Sequence, residues 1–237
     1  MIPKKIHYMW LGKQKIPHKL QKCIDSWKRF CPDYEIIRWD ENNYDIVKIP
    51  YMKEAYEAGA YGFVPDYARL DILFNNGGIY MDTDVEILRG LDSLLYHEAF
   101  CAVEKWQVLN FGGCSGAVKG HPMLKRFLDA RAQISFIDKN GKKNKTTCGF
   151  YDTRVAIEHG YVIDGTTQNI GGMNIYASDY FHPYDYMSGS VQCTEHTYSV
   201  HWFNGGWLDE NMRMENEEAV RRFEQIYHWS LRNQEDY

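Results

Sequence analysis

The sequence lacks a long apolar run, an excess of basic residues and a secretory leader. A bilayer-spanning helix needs about 18 consecutive apolar residues, and no stretch of the chain approaches that length. The formal net charge is −5, and no basic stripe with interleaved aromatic residues is present, which argues against a nucleic-acid partner. The first residues, MIPKKIHYMW, have no apolar core of a signal peptide. We therefore expect a cytoplasmic protein.

Paired cysteines are also lacking. The six cysteines form no C-x-x-C pair, which excludes a zinc knuckle and a thioredoxin-type motif. Without a signal peptide, free thiols in a reducing compartment are the expected state. What the chain does have is 44% hydrophobic and 15% aromatic residues, enough for a packed core in one domain of 237 residues.

Residues 64–88, VPDYARLDILFNNGGIYMDTDVEIL, predict a helix, a glycine turn and a strand that ends in two carboxylates. Apolar residues recur at helical spacing up to the Asn-Asn-Gly-Gly segment, which can supply the left-handed cap. Residues 78–81 then predict a short apolar strand that leads into Asp82 and Asp84. Because side chains i and i+2 of an extended chain point to the same side, both carboxylates should face one way.

Two carboxylates at this spacing suggest a divalent-cation site. Mg²⁺ and Mn²⁺ prefer carboxylate, water and substrate phosphate as ligands. Asp66 and Arg69 lie three positions apart on the predicted helix and so share a face. An arginine there can neutralise phosphate, and an aspartate can accept hydrogen bonds from sugar hydroxyls. An isolated D-x-D is more often a solvated loop, so the motif alone leaves both interpretations open.

The N-terminal part predicts strands at 5–10 and 35–39, joined by an amphipathic helix at 17–30. This alternation indicates parallel strands, with ligands outside their carboxyl ends. Trp10 ends the first strand and is either a core residue or a platform on which a nucleotide base stacks. In this arrangement it would share an edge of the sheet with the two carboxylates.

The string DYARLDILFNNGGIYMDTD, residues 66–84, closely resembles the signature of DXD-motif sugar-nucleotide glycosyltransferases. These include the family 32 capsular polysaccharide and mannosyltransferase-type enzymes and, more distantly, the clostridial glucosylating toxins. The resemblance extends more loosely from Ile2 to about Trp207. It implies a single α/β domain of the GT-A type, with a mainly parallel sheet flanked by helices. The nucleotide-binding half would be about 1–120 and the acceptor-side half about 121–237.

The resemblance also implies residue roles. Asp84, with Asp82 and His201 nearby, would hold Mn²⁺ or Mg²⁺. Arg69 would add a fixed positive charge. Asp66 and Asp82 would orient sugar and ribose hydroxyls. The expected catalytic set is therefore Asp66, Arg69, Asp82 and Asp84.

Three further residues complete the expected donor-binding set. The segment I-P-K-K-I-H-Y-M-W-L-G, residues 2–12, resembles the opening of the family's nucleotide pocket, in which Trp10 takes the base-stacking place. Asn110, which precedes a G-H-P string, would reach the donor sugar. A late segment, residues 198–207, resembles the family's H-x-x-x-x-S-W string, with Trp207 closing over the site. Its serine is Gly206 here, which removes an expected hydroxyl contact.

By the same resemblance, the protein would transfer a hexose (galactose, glucose or N-acetylhexosamine) from a UDP-sugar to a carbohydrate acceptor in bacterial capsule or surface polysaccharide synthesis. Relatives retain the anomeric configuration, and no residue is assignable as a carboxylate nucleophile, so a front-face reaction is expected. A lipid-linked acceptor would bring the protein to the inner face of the membrane as a peripheral contact. Two alternatives stay open: a metal-dependent phosphotransferase or hydrolase with Asp82 as nucleophile, and a non-catalytic sugar-nucleotide-binding module.

Overall fold

The fold is described from a computed structural model, which defines residues 1–185 and 188–203. The helices are α1 (His18–Phe30), α2 (Pro50–Glu57), α3 (Pro65–Asn76), α4 (Pro122–Arg131) and α5 (Cys148–Glu158). The strands are β1 (Lys5–Met9), β2 (Glu35–Trp39), β3 (Gly78–Tyr80), β4 (Val85–Ile87), β5 (Ala99–Val103), β6 (Leu109–Asn110), β7 (Ser115–Ala117), β8 (Gln168–Ile170), β9 (Met173–Tyr176), β10 (Tyr184–Asp185), β11 (Ser190–Val191) and β12 (Ser199–His201).

Within the described residues, eight strands form one mixed sheet, in the order β2-β1-β3-β7-β5-β9-β8, with β6 paired to β5. The strands β2, β1 and β3 run parallel, as do β5 and β9. Strand β7 is antiparallel to both β3 and β5 and so joins the two parallel parts. The α/β fold with a sheet flanked by helices, expected from the sequence, is confirmed.

The two faces of the sheet bury separate apolar clusters because side chains alternate along each strand. In β5, Ala99, Cys101 and Val103 pack with the cluster that includes α2, α3, α4 and α5. Phe100 and Ala102 pack with the other cluster, to which α1 contributes Ile24 and Trp27. The sheet is thus covered on both faces, which leaves its edges and strand ends for function.

The carboxyl ends of β1, β2 and β3 lie at one edge of the sheet. Trp10, directly after β1, donates its backbone N–H to the carbonyl of Trp39 at 3.0 Å. Met81, directly after β3, donates to the carbonyl of His7 at 3.0 Å. The expected placement of Trp10 and the D-x-D segment at a shared edge is therefore correct.

Helix α3 ends where its sequence predicts. Gly77 occupies the C-cap with φ +66°, a left-handed conformation that glycine adopts without steric cost, and donates its N–H to the Leu73 carbonyl at 2.8 Å. A Cβ on Gly77 would lie 3.0 Å from the backbone nitrogen of Lys119. This tight reversal carries the chain from α3 directly into β3 and fixes the direction of the segment that follows.

All six cysteines are free, and Cys23, Cys31, Cys101 and Cys114 are buried. In the part of the chain that the structure describes, every helix is too short or too polar to cross a bilayer.

A buried histidine in β1 makes the stability of the fold depend on pH. His7 is fully buried; its Nδ1 accepts from the Trp39 indole at 3.1 Å, and its Nε2 lies 2.9 Å from the Gly77 carbonyl. Both contacts suit a neutral ring that donates from Nε2. Burial lowers the pKa of His7 to about 4, against about 6.5 in an unfolded chain.

We expect His7 to destabilise the fold as the medium becomes acidic. The contribution of its neutral ring to the free energy of unfolding is fully present above pH 6.5. It is lost as the pH falls toward 4, because the unfolded chain binds a proton at a higher pH than the folded chain does. At pH 5 the loss should be about 2 kcal/mol. Urea unfolding measures this loss: between pH 7.5 and pH 5, the free energy of unfolding should fall less in His7→Gln than in the wild type. The exposed control His18→Gln should keep the wild-type drop; equal drops in all three proteins would contradict the role of His7.

Candidate active site

The two aspartates of the D-x-D motif converge through a turn and not through extended backbone. Strand β3 ends at Tyr80, one residue earlier than expected, and the backbone N–H of Val85 donates to the Asp82 carbonyl at 3.1 Å. Alternation of side chains along a strand was the expected reason for the alignment of the two carboxylates, and that reason is wrong. The carboxylates still face a common point, which the next residue completes.

His201 is brought to the aspartates by a strand pairing that is distant in sequence. It is the last residue of β12, which pairs antiparallel with β4 so that His201 lies opposite Val85, the residue after Asp84. Its Nε2 lies 3.2 Å from Asp84 Oδ1. One ligand atom from each of Asp82, Asp84 and His201 lies within 4.8 Å of the others.

This donor set fits a divalent cation. Two carboxylates and an imidazole suit Mn²⁺ well, and Mg²⁺ less well. Burial alone would lower the pKa of His201, but the carboxylates of Asp84, Asp82 and Glu104 outweigh burial and raise it. The clustered negative charge that attracts a proton to this imidazole would attract a metal ion in its place, since a ligating histidine must be neutral.

Arg69 and Asp66 share a face of α3, as their spacing predicts, and Arg69 contacts Asp82 of the D-x-D motif. Arg69 Nη2 is 3.2 Å from Asp66 Oδ1 and 3.5 Å from Asp82 Oδ2. Asp66 Oδ2 also accepts from the Tyr51 hydroxyl at 3.3 Å. Both Arg69 and Asp66 are buried, with 5% and 6% of their surface exposed. Arg69 therefore places a buried positive charge between Asp66 and Asp82 at the D-x-D segment. Its role in neutralising a phosphate group stays a prediction.

A glycine turn shapes the other side of Asp82. The backbone N–H of Asp82 donates to the Gly112 carbonyl at 2.8 Å. A Cβ on Gly112 would overlap the Asp82 carboxylate and lie 2.7 Å from Arg69 Nη1. The Oδ1 atom of Asn110 accepts from the backbone N–H groups of Gly112 and Gly113 at 2.8 and 3.1 Å. Asn110 thus holds this turn, and its contact with a donor sugar stays a prediction.

Two residues near this cluster were not identified from the sequence. Glu104 directly follows β5, hydrogen-bonds the Asn110 side chain and lies close enough to His201 for their charges to interact. Burial raises the pKa of Glu104 to about 7. His182 is fully buried with its ring centroid 5.6 Å from that of His201. The position of Glu104 at the end of a predicted strand was the one feature of the sequence that could have placed it in the site. No feature of the sequence indicated His182.

Two tryptophans, Trp10 and Trp207, complete the expected donor-binding set. Trp10 is half-buried at the shared strand edge, with its indole N–H donated to the Gln14 carbonyl at 2.9 Å. Its role as a base platform stays a prediction. Trp207 and Gly206 lie outside the described residues. The sequence also predicts a charged packing helix at 210–229, and those residues are likewise outside the described part of the chain.

Comparisons with known proteins find similarity to glycosyltransferases. Residues 17–101 match the family model described as the glycosyltransferase sugar-binding region containing the DXD motif. The chain is 34% identical over 143 residues to inositol phosphoceramide mannosyltransferase 3 of Schizosaccharomyces pombe, a match that covers 57% of this chain and 38% of that protein. It is 25% identical over 221 residues to the uncharacterized glycosyltransferase L373 of Acanthamoeba polyphaga mimivirus, covering 87% of this chain and 84% of that protein.

Among solved structures, the chain is similar to the PaToxG glycosyltransferase, with a TM-score of 0.53, 20% identity, and coverage of 66% of this chain and 68% of that chain. That similarity concerns the fold. The matched segment spans less than two fifths of the fungal relative. Together, the matches confirm the resemblance to DXD-motif glycosyltransferases, and the family model matches this chain at residues 17–101.

Proposed function

We propose that the protein is a metal-dependent glycosyltransferase that moves a hexose from a nucleotide-diphosphate sugar to a carbohydrate hydroxyl. The observation that supports it most is the convergence of Asp82, Asp84 and His201 within 4.8 Å, beside the buried pair of Arg69 and Asp66. Negative charge develops on the leaving diphosphate as the glycosidic bond breaks. A site of this composition is suited to that charge.

The residues of the chain divide the work between charge and orientation. A divalent cation bound to Asp84, Asp82 and His201 would supply the charge that stabilises the leaving diphosphate. Arg69 adds a second, permanent positive charge that needs no reorganisation during the reaction. The carboxylates of Asp66 and Asp82 accept hydrogen bonds from donor hydroxyls, and Trp10 stacks on the base. Configuration at the transferred carbon is retained by front-face attack, with the acceptor proton passing to the diphosphate.

The donor, acceptor and setting belong to the same proposal. A UDP-hexose is the proposed donor. The name of the fungal relative specifies mannose and an inositol phosphoceramide acceptor, which adds mannose to galactose, glucose and N-acetylhexosamine as candidate sugars and supports a lipid-linked acceptor. The proposed place of action is the cytoplasm at the inner membrane face, in the assembly of a capsule or another surface glycan.

Hydrolysis of a panel of nucleotide sugars, with Mn²⁺ or with EDTA, tests the proposal. We expect slow Mn²⁺-dependent release of UDP from one donor without an acceptor, and faster release with a carbohydrate acceptor. Turnover of a simple phosphate ester without any sugar would instead support the phosphotransferase alternative. Metal-dependent nucleotide binding without hydrolysis of any donor would support a non-catalytic binding module.

A further inference from the structure

A second buried ion pair joins α4 to α5. Arg131, the last residue of α4, donates from Nε to Asp152 Oδ1 at 3.0 Å and from Nη2 to Asp152 Oδ2 at 3.1 Å. Both side chains are 3% exposed. The Nη1 atom of Arg131 is buried and has no hydrogen-bond partner among the described residues. The pair is therefore fully desolvated and incompletely satisfied.

Stability alone does not explain such a pair. The cost of desolvating two charges often exceeds their mutual attraction, and well-packed apolar residues of similar size are frequently as stable or more so. An unpartnered buried donor adds a further cost. A role for the charge of Arg131 outside the pair would account for its position.

That role is indicated by Asp66, whose carboxyl group interacts with the charges of Arg69, Arg131 and Asp152. Burial raises the pKa of Asp66, and the charges of Arg69 and Arg131 oppose the rise. From the candidate metal ligands inward, the charges alternate in sign: Asp82, Arg69, Asp66, Arg131, Asp152. In a low-dielectric interior, each member of such a series constrains its neighbours strongly.

Helix α5 links the pair to Arg69 by a second route. Asp152 and Cys148 lie four positions apart on α5 and so share a face. Cys148 Sγ accepts from Arg69 Nη1 at 3.9 Å. The same helix therefore contacts Arg69 directly and reaches Asp66 through Arg131.

We propose that Arg131 and Asp152 are positioning residues of the donor site. Asp152 fixes the guanidinium of Arg131 through two hydrogen bonds. The charge of Arg131, together with the contact of Cys148 on α5 with Arg69, keeps Asp66 in its ion pair with Arg69, which in turn faces Asp82. Neither residue touches the donor. This inference rests on the proposed function, because it assigns the pair a part in donor binding and transfer.

The variant Arg131→Met/Asp152→Leu separates positioning from stability. It removes both charges and fills the space with apolar side chains, so the urea midpoint should stay near that of the wild type. Donor affinity, measured by calorimetry with the nucleotide sugar and Mn²⁺, should fall about tenfold, as expected for a lost charge contact. The control Asp129→Asn removes a surface carboxylate that pairs with Lys125 on the same helix and should keep wild-type affinity.

A double-mutant cycle with Asp66 tests the route of action. Asp152→Asn should weaken donor binding about tenfold in the wild type and have little effect in an Asp66→Asn background. An equal factor in both backgrounds, or full affinity in the apolar double variant, would overturn the inference. A wild-type protein that binds no nucleotide sugar would overturn the proposed function itself, and this inference with it.

Discussion

Asp84→Asn is expected to lower the rate of sugar transfer by a factor of about 100 to 1,000 at saturating Mn²⁺, the range seen when one group that stabilises transition-state charge is removed. Asparagine keeps the shape of the side chain but loses the negative charge. That charge lies 3.2 Å from His201 Nε2 and within 4.8 Å of the nearest ligand atom of Asp82. With one carboxylate remaining, the site would bind a divalent cation more weakly and hold it less well against the diphosphate.

The effect should be specific to this carboxylate. Asp92→Asn is a matched control, because Asp92 is exposed and pairs with Lys4 at 3.1 Å and the Tyr34 hydroxyl at 2.8 Å. It should retain wild-type transfer. Electron paramagnetic resonance of Mn²⁺ without donor should show weaker binding by Asp84→Asn and unchanged binding by Asp92→Asn. Unreduced activity of Asp84→Asn at saturating Mn²⁺ would refute the metal role.

Local patterns in the sequence predicted the elements that carry the site. The helix expected at 17–30 is observed at His18–Phe30, and the glycine that ends α3 is Gly77. Such features follow from apolar periodicity and cap chemistry, which depend on neighbouring residues only. The position of Asp66 and Arg69 on one face of α3 also followed from their spacing, although their ion pair was not predicted.

Contacts between distant segments were not available from those patterns. His201 reaches Asp84 because β12 pairs with β4, and only the family resemblance suggested that residue. The antiparallel insertion of β7 between β3 and β5, which brings the Gly112 turn to Asp82, had no local signal. Glu104, His182 and the pair of Arg131 and Asp152 were missed for the same reason. Their surroundings are set by segments far away in the chain.

Gly112 shows how strongly such a distant contact constrains the site. Its φ is outside the left-handed region, so the backbone there would accept alanine. The obstacle is steric: an added Cβ would overlap the Asp82 carboxylate and lie 2.7 Å from Arg69 Nη1. Asp82 and Arg69 are the two side chains proposed to bind the diphosphate and hydroxyls of the donor, and one added methyl group would have to move at least one of them.

Gly112→Ala should therefore lower kcat/KM by about 100-fold, the effect expected when catalytic groups are displaced by about 1 Å. Overpacking should cost the fold about 1–3 kcal/mol, which urea unfolding would measure. The matched control is Gly90→Ala, whose Cβ would meet only the Phe30 carbonyl oxygen, at an ordinary 3.5 Å. Similar kcat/KM values for the two alanine variants would mean that Asp82 and Arg69 tolerate displacement. A selective loss in Gly112→Ala, with Mn²⁺ binding also weakened, would place the Asp82 carboxylate in both the metal site and the donor site.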